Sequence, residues 1–308
     1  MRIVFMGTPE FAVPSLQALL DAGHEVAAAF TQPDKPKGRK QILTPPPVKV
    51  LAQEHGISVF QPATLRTPET GKLLRELAPE LIVVAAYGKI LPKVLLKMPK
   101  YGCVNVHASL LPKYRGAAPI QWALINGEEI AGVTTMQMAE GIDTGDMLLS
   151  DSTPIGPEEN AEELTARLAQ LGASLLVKTL EGLQEGKVVP TPQDDTQSSY
   201  VSMLSRELSP VDWNRTAFEI HNQVRGLFPW PAAETVCEGK RLKLFRTRVA
   251  ADQPGLPGTA SVSDGEFTVC CGKGTALTLL EVQPENGKRM NGKDFLRGHP
   301  AIDGTMLK

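Results

Sequence analysis

Two polar residues end an otherwise apolar segment of the sequence, and their spacing lets them act together. The segment GCVNV leads into His107, and Asn105 precedes that histidine by two positions. Residues two apart on an extended chain point to the same side, because side chains alternate. We therefore expect an amide donor and an imidazole side by side at a strand end. A histidine titrates near neutral pH, so it can both accept and donate a proton.

A carboxylate in a glycine-flanked turn supplies a third chemical group. Asp143 lies in the segment GIDTGD, between Gly141 and Gly145. Glycines let a backbone approach a ligand closely. A carboxylate beside an imidazole fixes the tautomer of the ring and favours its cation. Asp143 is therefore a candidate partner for the histidine.

Amide, imidazole and carboxylate together suit the transfer of an acyl-type group to an amine. The amine must be neutral to attack, the leaving nitrogen needs a proton, and an asparagine amide can stabilise the oxyanion of the tetrahedral intermediate. The sequence contains no nucleophile of the GxSxG type, which favours direct attack by the substrate amine over an acyl-enzyme. A structural interpretation stays open on these residues alone, since an aspartate in a glycine turn is often only a turn former.

The elements that must position these residues follow a βαβ pattern. Short apolar runs predict strands at 3–6, 26–30, 59–60, 81–86 and 104–106. The stretches between them predict helices. The run LIVVAAY is apolar throughout, as expected of a strand covered on both faces. We predict an α/β fold with a Rossmann-like, doubly wound, mostly parallel sheet. The carboxyl ends of such strands share one edge, where ligands bind.

The remaining patterns predict a second domain. Two further strands, at 131–138 and 146–153, and a long helix over 158–185 complete a first domain, 1–185. The polar, proline-containing stretch 186–206 predicts a linker. One helix over 212–226 and about five short strands predict a small C-terminal β-barrel (OB-like) within 207–308. The predicted strands of the barrel are 233–237, 241–249, 258–262, 266–271 and 275–282.

The composition excludes several classes of protein. The 308 residues include 32 basic and 34 acidic side chains, so the chain is neither a nucleic-acid coat protein nor strongly acidic, although its last third is slightly basic. Four cysteines without CxxC or Cys/His spacing fit a reducing cytoplasm and predict no metal site. No segment approaches the roughly 18–20 apolar residues of a membrane helix. We expect a cytoplasmic protein that does not contact membranes.

One loop differs from the rest in composition. Residues 33–47 hold five prolines and four basic residues, Lys35, Lys37, Arg39 and Lys40. Most basic loops are simply solvated, so the composition alone does not assign a function to it.

Two long motifs match a known family. NVHASLLPKYRGAAPIQWALING resembles the signature of the 10-formyltetrahydrofolate-dependent formyltransferases, and GIDTGDML resembles their second motif at the expected distance. MGTPEFAVPSL, FTQPDKPKGR, PPPVKVLA, VAAYGKILP and GLFPWP resemble the members that act on methionyl-tRNA. The resemblance covers essentially the whole chain and is weakest in the last quarter.

The resemblance implies roles for individual residues. The family's catalytic set corresponds to Asn105, His107 and Asp143. Its folate contact corresponds to Ser109, Leu110, Leu111 and Pro112. Its basic loop, which reaches the tRNA acceptor stem, corresponds to Lys35, Lys37, Arg39 and Lys40, with Arg39 at the key position. The implied reaction uses 10-formyltetrahydrofolate as formyl donor and initiator methionyl-tRNA as acceptor, for translation initiation, without a metal; we expect a monomer.

Three alternatives remain open at this point. The first is a formyltransferase that acts on an amino-sugar nucleotide or glycinamide ribonucleotide, the second is a 10-formyltetrahydrofolate hydrolase, and the third is a non-catalytic tRNA-binding protein. The basic loop and the C-terminal domain favour tRNA, and the intact catalytic set disfavours a non-catalytic protein. A nicotinamide dehydrogenase is disfavoured because GTPEF has one glycine where the dinucleotide fingerprint needs three. The segment GRK, where the family often has GRG, adds Lys40 and keeps the positive charge.

Overall fold

The computed structural model describes residues 1–38 and 41–308, which form two compact units. The first comprises Met1–Gly116, Ile130–Thr153 and Thr165–Val201, and the second comprises Ala117–Glu129, Pro154–Leu164 and Ser202–Lys308. The described helices are α1 (Val13–Asp21), α2 (Pro47–Glu54), α3 (Pro68–Leu77), α4 (Lys93–Leu96), α5 (Pro119–Ile125), α6 (Ala161–Gln184), α7 (Ala217–Gly226) and α8 (Gly292–Gly298).

The strands of the first unit build one large sheet and two short pairs. They are β1 (Arg2–Gly7), β2 (Glu25–Phe30), β3 (Lys35–Lys37), β4 (Ile42–Thr44), β5 (Val59–Phe60), β6 (Leu81–Ala85), β7 (Cys103–His107), β8 (Arg115–Gly116), β9 (Ile130–Gln137), β10 (Met147–Pro154) and β11 (Tyr200–Val201). The large sheet has the order β10-β9-β7-β6-β1-β2-β5, and the short pairs are β3-β4 and β8-β11.

The large sheet is mostly parallel, as predicted. Strands β5, β2, β1, β6 and β7 pair in parallel, and β9 pairs antiparallel with β7. Strands β6 and β7 are buried at every position, which explains the wholly apolar sequence of β6. The chain moves outward from β1 to β2 and β5 and then returns to β6 on the other side of β1. The doubly wound topology is therefore confirmed, with the carboxyl ends of β1, β6 and β7 at one edge.

Local sequence explains where two helices begin. The predicted helix 158–185 starts at Ala161, because the side-chain oxygen of Asn160 accepts hydrogen bonds from the N–H groups of Glu162 and Glu163. The predicted helix 212–226 starts at Ala217, because Thr216 and Glu219 form a reciprocal capping box.

The second unit contains the C-terminal antiparallel sheet. Its strands are β12 (Ala233–Cys237), β13 (Lys240–Val249), β14 (Ala260–Ser263), β15 (Glu266–Cys270), β16 (Ala276–Pro284) and β17 (Met290–Asn291), in the order β12-β13-β16-β15-β14 with β17 beside β16. Helix α7 contributes Ile220 and Val224 to the apolar cluster that includes Leu244 and Leu277 of the sheet. Burial of each such side chain stabilises the fold by about 1.5–3 kcal/mol.

The last residues of the chain connect the two ends of this sheet. Lys308 exchanges two backbone hydrogen bonds with Val236 of β12, at 2.7 and 3.0 Å. On the other side, Leu307 donates to Gly258, and Ala260 of β14 donates to Thr305, both at 2.8 Å. The antiparallel strands thereby close on themselves through residues 305–308.

Two further features of the described residues concern the hydropathy of the helices and the state of the cysteines. Among residues 1–38 and 41–308, no helix has the length and apolar character needed to cross a membrane. The four cysteines are free and buried. Burial raises the pKa of Cys103 and Cys271 to about 12 and that of Cys237 to about 11.

Candidate active site

The end of β7 brings Asn105 and His107 to the carboxyl edge of the large sheet. Both side chains are buried, with exposed fractions of 8% and 6%. Their backbones pair with Met136 and Thr134 of β9. A strand with a neighbour on each side therefore fixes the backbone from which both side chains project.

The imidazole of His107 lies between two oxygen acceptors. Its Nε2 is 2.9 Å from the carbonyl oxygen of Tyr114, which can only accept, so Nε2 carries the hydrogen and donates. Its Nδ1 is 3.6 Å from Oδ2 of Asp143. The Asp143 carboxylate thus faces the ring nitrogen of His107 that is not bonded to Tyr114. The structure therefore brings together the predicted pair of His107 and Asp143.

Asp143 is held in a constrained turn. Its φ angle is +51°, in the left-handed region that aspartate tolerates better than most residues. Its Oδ2 accepts a hydrogen bond from the backbone N–H of Gly116 at 2.9 Å. Gly145, two residues later, has no room for a side chain, because a Cβ would lie 1.7 Å from the carbonyl oxygen of Gln137. The turn is packed against β9, and this packing requires glycine.

Asn105 supplies a hydrogen-bond donor that the protein does not use. Within the part of the chain that the structure describes, its side-chain amide has no hydrogen-bond partner. Buried amides are normally paired, so an unpaired one at a strand end is available to a ligand oxygen.

The segment from Ser109 to Pro112 forms a hydrogen-bonded turn directly after β7. The Thr134 hydroxyl donates to the Ser109 carbonyl at 2.7 Å and accepts from the Leu111 N–H at 3.1 Å. The Ser109 hydroxyl donates to the Lys113 carbonyl at 2.7 Å, and the Leu111–Pro112 peptide bond is cis. Several polar groups of the turn are engaged within the protein, which leaves the half-buried Leu110 and Pro112 as its apolar surface.

Comparison with family models identifies the chain. A model described as formyl transferase matches residues 1–180, and one described as formyl transferase, C-terminal domain, matches residues 203–300. The chain belongs to the formyl transferase family.

Curated relatives match this formyl transferase from end to end. Two proteins named methionyl-tRNA formyltransferase, from Trichlorobacter lovleyi and Geobacter sulfurreducens, are each 53% identical to it. The alignments cover 99% and 100% of this chain, respectively, and 96% of each relative.

Solved structures show the same fold at lower sequence identity. A sugar 3N-formyl transferase, solved in the presence of dTDP and 5-N-formyl-THF, superposes with a TM-score of 0.68 at 21% identity, over 94% of this chain and 99% of its own. The N-formyltransferase of Helicobacter canadensis, in complex with folinic acid and dTDP-3-aminofucose, superposes with a TM-score of 0.67 at 22% identity, over 92% and 99% of the two chains. The predicted fold class is therefore confirmed.

The basic loop of this formyl transferase is a hairpin anchored at its base. Strands β3 and β4 pair antiparallel, and Lys35 is exposed. For Lys37 only the backbone is described, and Arg39 and Lys40 lie outside the described residues. At the base of the loop, Lys49 Nζ lies 2.8 Å from each carboxylate oxygen of Asp34, and Gln61 donates to Oδ1. Hydrogen bonds from Lys49 and then Gln61 lower the pKa of Asp34.

The structure adds residues that the sequence did not single out. Arg115 is buried, and its guanidinium donates to Gln193, Asp195 and Tyr200. The segment 193–201 also contains Ser199, whose hydroxyl accepts from the N–H of Tyr114 at 2.9 Å. This segment lies within the stretch 186–206 that the sequence predicted as a linker, and its polar composition gives no sign of these contacts.

Proposed function

We propose that this formyl transferase moves the formyl group of 10-formyltetrahydrofolate to the α-amino group of methionyl initiator tRNA, for translation initiation. The observation that carries the proposal is the grouping of His107 with Asp143 next to the unpaired amide of Asn105, at the ligand-binding edge of the sheet. The full-length match to proteins named methionyl-tRNA formyltransferase supports this acceptor over an amino-sugar nucleotide.

In the proposed reaction, the neutral α-amino nitrogen of the methionyl ester attacks the formyl carbon. A C–N bond forms, the carbonyl electrons move to oxygen, and the amide of Asn105 donates a hydrogen bond to that oxyanion. The bond between the formyl carbon and N10 of the folate then breaks. The amine loses one proton and N10 gains one, so the products are formyl-methionyl-tRNA and tetrahydrofolate.

In the proposed mechanism the protonated ring of His107 gives a proton to N10 of the folate and then takes the proton that the amine loses, and Asp143 orients the ring. A ring with hydrogen on both nitrogens carries a positive charge, which Asp143 stabilises and which also favours the nearby oxyanion. Its Nε2–H donates to Tyr114, so this hydrogen reaches a substrate only when the ring exchanges that carbonyl for the substrate. We therefore assign proton transfer to the substrate-bound state.

We assign the folate to the turn formed by Ser109, Leu110, Leu111 and Pro112. The donor set fits this substrate, because an unpaired amide suits the formyl oxygen and an apolar residue suits a pteridine face. The hydroxyl of this turn, on Ser109, donates its hydrogen to the Lys113 carbonyl rather than to a general base. This agrees with direct attack by the substrate amine.

We assign tRNA to the basic loop and the C-terminal domain. Lys35, Lys37, Arg39 and Lys40 would neutralise phosphates of the acceptor stem, so binding should weaken as salt rises. In this proposal, residues 1–185 form the catalytic domain, 186–206 a linker and 207–308 the OB-like tRNA-binding domain. The enzyme acts in the cytoplasm as a monomer and needs no metal.

The test is formyl transfer from 10-formyltetrahydrofolate to charged initiator Met-tRNA, beside uncharged initiator tRNA and charged elongator Met-tRNA. We expect formylation of the charged initiator alone. Formate release without an acceptor would instead indicate a hydrolase. Formylation of an amino-sugar nucleotide but not of Met-tRNA would overturn the assignment of the acceptor.

A further inference from the structure

Two backbone carbonyl groups of the Asp143 turn accept hydrogen bonds from one side chain, Gln193, which is about 50 residues away in the sequence. Nε2 of Gln193 donates to the backbone carbonyl of Asp143 at 2.9 Å and to that of Gly145 at 2.7 Å. The two carbonyls belong to the turn that presents the Asp143 carboxylate to His107. A single amide therefore spans this turn.

Arg115 determines which way that amide points. The Gln193 oxygen accepts from Nε of Arg115 at 2.9 Å and from Nη2 at 2.8 Å. A guanidinium only donates and a backbone carbonyl only accepts, so the amide has one orientation that satisfies all four contacts. The buried charge of Arg115 makes this orientation costly to reverse.

A second contact to Asp143 comes from the residue that follows Arg115 in the chain. Strand β8 consists of Arg115 and Gly116, and the N–H of Gly116 donates to Asp143 Oδ2. Strand β8 pairs in parallel with β11, the continuation of the segment that contains Gln193. The backbone of Asp143 is thus held by Gln193, which binds the Arg115 guanidinium, and its carboxylate is held by the N–H of Gly116, the residue after Arg115.

We infer that Gln193 is a positioning residue of the formyl-transfer site, which fixes the turn of Asp143 and through it the distance between Asp143 and His107. Gln193 touches no reacting atom in this assignment. The inference rests on the function proposed above, because the importance of Asp143 derives from it. The stretch 186–206 then has a role in catalysis in addition to connecting the two domains.

The first test compares Gln193→Met with Gln197→Met. Both glutamines lie in the same segment, but the amide of Gln197 is exposed and, among the described residues, donates only to Asp194. We expect Gln193→Met to lower kcat about 10-fold to 100-fold, as expected for a misplaced catalytic group, with the KM of both substrates within about twofold. Gln197→Met should keep the wild-type kcat. A kcat of Gln193→Met within about twofold of that control would overturn the inference.

The second test repeats the comparison in an Asp143→Asn background. If Gln193 acts by placing the Asp143 carboxylate, its loss should cost less than about twofold once that charge is gone. A residue that only maintains the fold would reduce activity by the same factor in both backgrounds, and that result would overturn the inference. Gln193→Glu keeps the contact with Arg115 and removes both donors, so it replaces Gln193→Met if the latter does not fold.

Hydrogen exchange separates a failure of this inference from a failure of the proposed function. The N–H of Gly116 should exchange faster in Gln193→Met than in Gln197→Met, because the acceptor carboxylate is less well held. If wild-type protein transfers no formyl group, the proposed function fails and the exchange rates alone decide on the positioning role. Equal rates in the two variants would overturn it.

Discussion

At the scale of single residues, the amide of Asn105 is distinguished by the contact that it does not make. Buried amides are usually paired within the protein, since an unpaired donor costs about 1–3 kcal/mol. Asn105 is 8% exposed and, within the described residues, makes no side-chain hydrogen bond. In the proposed reaction, a substrate oxygen supplies the missing acceptor.

Replacing Asn105 by alanine should therefore lower kcat by about 100-fold to 1000-fold, which is the usual effect of losing one oxyanion donor. The melting temperature should not fall, because the substitution removes an unpaired group. Steady-state formylation of initiator Met-tRNA and a thermal melt measure the two effects. Gln17→Ala, which removes an exposed amide on α1, is the matched control. Equal kcat values for the two variants would contradict the assignment to the oxyanion.

A second histidine predicts how stability depends on pH. His221 of α7 donates through Nε2 to the carbonyl of Pro157 and contacts the Thr247 hydroxyl through Nδ1, both at 2.9 Å. Burial lowers the pKa of His221 below 6.5 in the folded chain, and the nearby positive charge of Arg225 lowers it further. Below pH 6.5 the unfolded chain binds a proton that the folded chain does not, so stability falls as the pH decreases through this range.

Replacing His221 by glutamine should remove this part of the pH dependence. We expect the melting temperature of the wild type to fall more than that of His221→Gln when the pH is lowered from about 7.5 to about 5.5. Thermal unfolding at both pH values gives the difference. Parallel losses in the two proteins would show that His221 does not contribute to the pH dependence.

At the scale of elements, the strands that could be predicted from the sequence were those with a clear pattern of apolar residues. The run LIVVA predicted β6 because a strand buried on both faces must be apolar throughout. The site residues Asn105 and His107 were predicted from their alternation on β7, and the pairing of Asp143 with His107 rested on chemistry and on the family resemblance. Long-range polar contacts leave no periodic signal, so the sequence did not indicate Arg115 or Gln193.

The close pairing of β8 with β11 predicts that a side chain at Gly116 lowers the stability of the protein. Gly116 has a φ angle of +98°, and a Cβ there would lie 2.6 Å from the carbonyl oxygen of Val201. Gly23 also has a positive φ, of +75°, but its Cβ would contact nothing within 4 Å. Alanine should therefore destabilise the protein by about 1 kcal/mol at position 23 and by at least about 1 kcal/mol more at position 116.

The two alanine variants should also differ in activity. Gly116→Ala displaces the N–H that binds the Asp143 carboxylate, so its kcat should fall, whereas Gly23→Ala should keep the wild-type kcat. Urea unfolding and steady-state formylation measure the two effects. The prediction is wrong if the variants lose the same stability and keep the same kcat.

At the scale of the whole molecule, each unit depends on contacts between parts of the chain that are far apart in sequence. The first unit places the segment 193–201 against the loops that follow β7 and β9. The second unit closes its sheet with residues 305–308, at the opposite end of the sequence from its first segment. These contacts form only when the whole unit has folded, and local sequence patterns do not reveal them.

Closure of the C-terminal sheet can be tested by deleting residues 305–308. The deletion would remove the partners of the N–H and carbonyl of Val236 and of the N–H of Ala260 at two strand edges, and it would remove Leu307, which is 2% exposed. Unpaired edges favour association between copies, so the truncated protein should be less stable and should also associate.

Leu307→Ala separates these two effects. This variant keeps the backbone hydrogen bonds of residues 305–308 and loses only the buried side chain, at a cost of about 2–5 kcal/mol. Urea unfolding should show that both variants are destabilised, but static light scattering should show association only for the truncated protein. If Leu307→Ala associates as readily as the truncated chain, loss of stability alone explains the association, and the paired edges have no separate role. Association of the truncated protein alone would instead mean that the last residues protect the edges of the sheet.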